Sequence, residues 1–194
     1  MSLNKYDKNN IPRYMKTAKF IKKSGPLLDI GARTAVLRNY LHMKVAYHVI
    51  DIDKKTIEKL REDGVPAMLA NAEEIPQVSK FYSTVVMGEV LEHIPNMGLV
   101  LQQVHRVLKD DGEFIISVPN GELKTRLYLA LKRFYKIPFI KKCEKREPTY
   151  GGHIHMFNKR HLQVLMKTYN FVIDECINGM KDEYIIMRCS KDVS

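Results

Sequence analysis

Short aliphatic and β-branched runs alternate along this chain with stretches whose apolar residues recur at helical spacing. The runs fall at residues 27–31, 45–52, 65–70, 81–87 and 114–118, and two more follow at 171–177 and 183–189. Between them lie helical patterns. Ile11, Tyr14, Met15, Ala18 and Ile21 form the first, residues 33–42 the second, and Ile57 with Leu60 the third. The third is capped by Asp53 and stopped at Asp63-Gly64. Pro95 opens a stripe of Met97, Val100, Leu101, Val104 and Leu108, closed by a turn at Asp110-Asp111-Gly112, and Asn158 caps a last helix carrying Leu162, Leu165, Met166 and Tyr169. The run at 45–52 is nearly continuous apolar, as a strand covered on both faces must be. This alternation predicts an α/β domain with a parallel sheet and helices on both faces.

A chain of 194 residues suits one such domain, spanning 1–194. No stretch reaches the roughly 20 apolar residues of a membrane span. The first eight residues lack the apolar segment of a secretory signal. Cys143, Cys176 and Cys189 are scattered and odd in number, which indicates neither a disulfide framework nor a zinc site; a cytoplasmic location is expected. The formal charge of +10 implies attraction to anions: phosphate esters, nucleic acid or acidic lipid headgroups. Nine of the basic residues, against three acidic ones, fall between Gly121 and Glu147.

In an open parallel sheet, ligands bind beyond the carboxyl ends of the strands, where strand order reverses. The chemistry-bearing residues collect at such ends. Leu28-Asp29-Ile30-Gly31-Ala32-Arg33-Thr34-Ala35 is the first strand-to-helix turn, with a glycine where a ligand approaches the backbone closely. Asp51 ends the second run, where a carboxylate accepts two hydrogen bonds from a ribose diol. These two features are shared with dinucleotide-binding proteins and do not discriminate.

Three later blocks do: Asn71-Ala72-Glu73-Glu74-Ile75-Pro76, the stretch from Val85 through Met87-Gly88-Glu89-Val90-Leu91-Glu92-His93-Ile94-Pro95, and the stretch from Leu108 to Asn120. In this order the set closely resembles class I S-adenosylmethionine (SAM)-dependent methyltransferases, especially the branch containing the ubiquinone-biosynthesis O-methyltransferases. The resemblance covers about residues 27–189. It implies a Rossmann-like, seven-stranded, mostly parallel sheet whose last strand is antiparallel. It also implies that Gly31 and Ala32 line the methionine moiety of SAM, with Asp29 supporting the loop. Asp51 holds the ribose hydroxyls, Ile52 packs on the adenine, Asn71 and Ala72 meet the adenine edge, and Met87 and Gly88 lie near the sulfonium. The implied reaction is transfer of the SAM methyl group to a small-molecule acceptor, most plausibly at a hydroxyl oxygen.

Two departures stand out. Arg33 and Ala35 replace the second and third glycines of the family's first motif, and Asn71 replaces its aspartate. The Asn71 carbonyl still accepts a hydrogen bond. Arg33 either points to solvent or crowds the cofactor.

Methyl transfer from a sulfonium needs alignment, plus a base where the acceptor loses a proton. His93 is the candidate catalytic base, with His153 and His155 as alternatives. Glu89, Glu92 and His93 form an E-x-x-E-H cluster, which a helical turn brings together. The cluster is similar to the pattern with which small-RNA 2'-O-methyltransferases hold magnesium, and His153 would complete it. The insertion at about 121–150, with Leu123, Leu127, Ala130, Leu131 and Phe134 on one stripe, reads as a basic amphipathic lid. Such a lid suits an anionic acceptor or an anionic membrane surface. RNA methylation is an alternative, without an appended RNA-binding module to support it. A non-catalytic methyltransferase-fold binding protein, disabled at Arg33 and Ala35, is another.

Overall fold

The computed structural model describes residues 5–121, 153–178 and 183–193. Apart from Gly121, the predicted lid lies outside them, as does Cys143. One seven-stranded sheet carries the fold. Its strands are β1 (Leu27–Ile30), β2 (Tyr47–Asp51), β3 (Ala67–Leu69), β4 (Tyr82–Gly88), β5 (Leu108–Pro119), β6 (Phe171–Asn178) and β7 (Tyr184–Lys191). They lie in the order β3-β2-β1-β4-β5-β7-β6. The first five run parallel, and β7 is antiparallel to both its neighbours, β5 and β6. This is the Rossmann-like arrangement expected.

The period of two along each strand divides the core. Leu28, Val85, Met87, Phe114, Ile116, Ile185 and Met187 face one way, against Val100, Leu101 and Val104 of α3 (Met97–Val107) and Leu162 and Met166 of α4 (Lys159–Thr168). Leu27, Val49, Val86, Ile115 and Ile186 face the other way. There they meet Ala18 and Phe20 of α1 (Lys5–Phe20), and Ile57 and Leu60 of α2 (Lys54–Glu62). Both predicted caps form: Asp53 accepts from the backbone N–H groups of Lys55 and Thr56, and Asn158 from that of His161.

Three local expectations give way. The helix predicted over 33–42 is instead a series of turns leading into a short 3-10 helix, Val36–Tyr40, because Arg33 and Ala35 adopt left-handed backbone at φ 50° and 51°. Such residues cannot continue a right-handed helix. The turn predicted at Asp110-Asp111-Gly112 lies inside β5. There Tyr82 pairs with Leu108 and Thr84 with Glu113, so β5 carries a bulge at these residues. Pro95 precedes α3 rather than opening it, and Asn96 is the cap, accepting from the Leu99 N–H.

Sheet order reverses between β1 and β4. After β3 the chain crosses back over β2 and β1 and re-enters the sheet as β4 on the far side of β1. A crevice opens at the carboxyl ends of these two strands.

Candidate active site

The crevice is a cavity of about 1110 Å³. Asp29, Gly31, Ala32, Asp51, Ile52, Asn71, Ala72, Gly88 and His93 all line it, as do Glu89, Glu92 and His153. Met87 is the exception. On β4 it alternates with Val86 and Gly88, so its side chain turns away and is fully buried in the opposite core layer. His155 is also displaced: its Nε2 lies 3.0 Å from the Ile94 carbonyl oxygen.

Gly31 follows β1 at φ 69°, and a Cβ there would stand 2.5 Å from a methyl carbon of Val90. Glycine is therefore required twice, by the backbone angle and by the packing of Val90 on the turn. Asp51, 9% exposed, accepts from the Asp53 N–H at 2.9 Å and from the Arg33 N–H at 3.4 Å. Those bonds orient its carboxylate, which has capacity to accept more. Beside it Ile52 is 75% exposed and borders the cavity. The Asn71 side-chain oxygen accepts from the Glu73 N–H at 3.0 Å.

Asp29 is buried beneath this turn and accepts a hydrogen bond from the Tyr47 hydroxyl. Burial raises its pKa to about 7, against the opposing pull of the Tyr47 bond and the Arg13 charge.

The third wall comes from α1, which the sequence reading missed. Tyr6, Asn10, Arg13, Tyr14 and Thr17 line the cavity. Arg13 is 4% exposed. It donates from Nη1 to the Ser117 hydroxyl at 3.2 Å and from Nε to the Asn10 side-chain Oδ1 at 3.3 Å, and its guanidinium lies over the Tyr14 ring. A Cβ on Gly88 would come within 2.7 Å of Arg13 Nη1, so the bare backbone at Gly88 makes room for the cation. The signal lay in the i, i+4 pair Arg13 and Thr17. A helix face bordering a polar cavity is itself polar, whereas the apolar-stripe reading places Met15 inside, and Met15 is 46% exposed.

Arg33 is exposed, and its guanidinium stacks 4.6 Å from the Tyr6 ring centroid while the residue also borders the cavity.

At the end of β4, Glu92 Oε1 lies 3.8 Å from His93 Nε2 and 3.9 Å from His153 Nε2. Ligand atoms of these three residues all lie within 4.8 Å of one another. Glu89, whose φ is 60°, is not one of these three. One carboxylate and two imidazoles suit a transition-metal ion better than the hard magnesium ion, which prefers oxygen ligands.

The sequence pattern of a family described as a methyltransferase domain matches residues 4–175. The chain belongs to that methyltransferase family. Among curated relatives, the methyltransferase domain is 33% identical over 126 residues to the uncharacterised protein MJ1252 of Methanocaldococcus jannaschii, covering 59% of this chain and 47% of that one. It is 29% identical over 119 residues to the human mitochondrial protein named arginine-hydroxylase NDUFAF5, covering 57% and 34%. The aligned segments thus span about half or less of the curated relatives. Among solved structures, the 1,6-didemethyltoxoflavin-N1-methyltransferase of Burkholderia thailandensis, bound to its substrate and S-adenosylhomocysteine, shares the fold. It has a TM-score of 0.67 at 16% identity, covering 96% of this chain and 81% of that one. No helix among the described residues is long and apolar enough to cross a membrane.

Proposed function

We propose that this domain moves the methyl group of SAM to a hydroxyl oxygen of a small acceptor, leaving S-adenosylhomocysteine. The observation that carries the reading is convergence: every residue expected to touch the cofactor, apart from Met87, borders one cavity at the strand-order reversal. Asp51 takes the ribose diol, Ile52 and Ala72 cover the adenine, and the Gly31 turn receives the methionyl tail. Arg13 receives the tail carboxylate. A buried guanidinium that spends one bond on Ser117 and one on Asn10 keeps donors for a two-oxygen partner. His93 takes the acceptor proton as the C–O bond forms, and the departing sulfonium leaves as a neutral thioether.

The same side chains support a second reading, a bound divalent ion held by Glu92, His93 and His153. Such an ion would supply Lewis acidity to the acceptor oxygen. The two readings exclude one another at His93 Nε2, since a lone pair given to a metal is not available to a proton. Methyl incorporation from labelled SAM, measured with catechol-type acceptors before and after EDTA, separates them. Activity that survives EDTA and is lost in His93→Ala supports the base. Activity lost with EDTA and restored by a divalent ion supports the metal. A product heavier by one oxygen atom, with no methyl gained, would replace methyl transfer by hydroxylation. Absence of any SAM or S-adenosylhomocysteine binding would end the proposal.

A further inference from the structure

Helix α1 is built from two unlike halves. Pro12 lies inside it, and a proline has no N–H for the carbonyl one turn earlier and crowds that carbonyl. Beyond Pro12, Ala18, Phe20 and the following Ile21 are buried in the core. The buried Glu113 carboxylate clamps the exit of the helix, accepting from the N–H groups of Lys22 and Lys23 at 2.8 and 2.9 Å. Before Pro12 the only buried residue of the helix is Asp7.

The first half is therefore held by polar contacts rather than by apolar burial. Asp7 accepts from the Thr34 hydroxyl at 3.0 Å and the Tyr14 hydroxyl at 3.3 Å, and the Tyr6 ring lies under the Arg33 guanidinium. Arg33 and Thr34 both belong to the glycine turn, whose backbone also bonds Asp51. The side chain that departs from the family's glycine thus fastens α1 to the turn. Tyr6 and Asn10 of this half border the same cavity as Gly31 and Asp51. On the SAM reading, a nucleoside held by Asp51 shares that cavity with them.

We infer that residues 5–11 form a flap hinged at Pro12 and latched by Arg33 and Thr34, and that the latch sets how fast the nucleoside cofactor leaves. Arg33 is on this view a positioning residue. The inference rests on the SAM reading for the identity of the ligand, while the latch consists of contacts within the chain itself. Segments anchored by few apolar contacts open at lower cost than the core, which is the property a gate needs.

Two measurements test it on the full chain. In the ligand-free protein, hydrogen exchange of residues 5–11 should quicken roughly 2–5-fold in Arg33→Ala and in Tyr6→Ala, the loss expected for one cation–π contact. It should stay at the wild-type rate in Arg33→Lys and Tyr6→Phe, which keep a cation over a ring. Both Arg33 variants keep a Cβ in left-handed backbone, so the strain at that residue is held constant. Release of labelled S-adenosylhomocysteine in a chase should quicken by the same factor in Arg33→Ala and Tyr6→Ala, and the double variant should add little to either. Pro12→Ala, which restores the helix bond, should slow uptake and release together and leave the affinity nearly unchanged. Unchanged exchange in Arg33→Ala, or fully additive effects of the two truncations, would overturn the latch. Failure of the wild-type chain to take up S-adenosylhomocysteine would overturn the cofactor reading instead, and the exchange measurement would still decide the latch.

Discussion

Asp29 is a carboxylate placed where its charge is costly. Its ordinary pKa of 3.8 is pushed up to about 7 by burial, partly countered by the Tyr47 hydroxyl and the Arg13 charge. Between about pH 4 and 7 the folded chain keeps a proton that the unfolded chain has released. Stability contributed by this group therefore falls as pH rises through that window and is level above it. Asp29→Asn keeps an acceptor for Tyr47 without the ionisation. Its melting temperature should match the wild type near pH 4 and exceed it near pH 8, a divergence that a pH series of thermal melts reads directly. Arg13 makes a second prediction at this scale. Wild-type protein should bind S-adenosylhomocysteine far more tightly than 5'-methylthioadenosine, which lacks the amino-acid tail. In Arg13→Met the two ligands should bind about equally, with most of a roughly 10–100-fold preference gone, as expected for a lost charge-assisted bond. Calorimetry with both ligands on both proteins would show an unchanged preference if the cation plays no part.

Elements meet where side chains are absent as much as where they are present. Gly98 stands in the first turn of α3, and a Cβ there would collide with the hydroxyl of Tyr169 at the end of α4. Alanine is the better helix former by about 1 kcal/mol. The contact outweighs it, because overpacking at a close approach costs about 1–3 kcal/mol. Gly98→Ala should therefore lower stability in urea unfolding, whereas Gly98→Ala combined with Tyr169→Phe should recover part of the loss. Asn158→Ala removes the α4 cap and should cost about 1 kcal/mol by the same measurement. The caps at Asp53 and Asn158 were legible because an Asx residue before an apolar stripe acts locally. The left-handed backbone at Arg33 and Ala35 was not legible. An arginine and an alanine say nothing of positive φ, which neither residue type favours.

At the scale of the molecule, a ligand that bridges β1, β2, β4 and α1 ties both halves of the crevice to one folded state. S-adenosylhomocysteine at a hundred times its dissociation constant should add about 2.7 kcal/mol to stability. For a domain of this size that is a rise of about 5–10 °C in melting temperature. Asp51→Asn, which keeps a single side-chain acceptor for the ribose, should lose most of that rise and keep the unliganded melting temperature within a few degrees. A scanning-fluorimetry titration measures both.

The strand and helix alternation, the two caps, and the grouping of Asp29, Gly31, Asp51, Asn71 and His93 at strand ends were readable from the chain, because hydrophobic period and turn chemistry act over a few residues. Tertiary structure decided what those local rules do not reach. It turned Met87 into the core by the alternation of β4, brought His153 from far along the chain to Glu92 and His93, and set Arg13 in the wall of the crevice. Each of these depends on which side of the sheet a residue faces and what stands opposite, and that is set by packing between segments far apart in the chain.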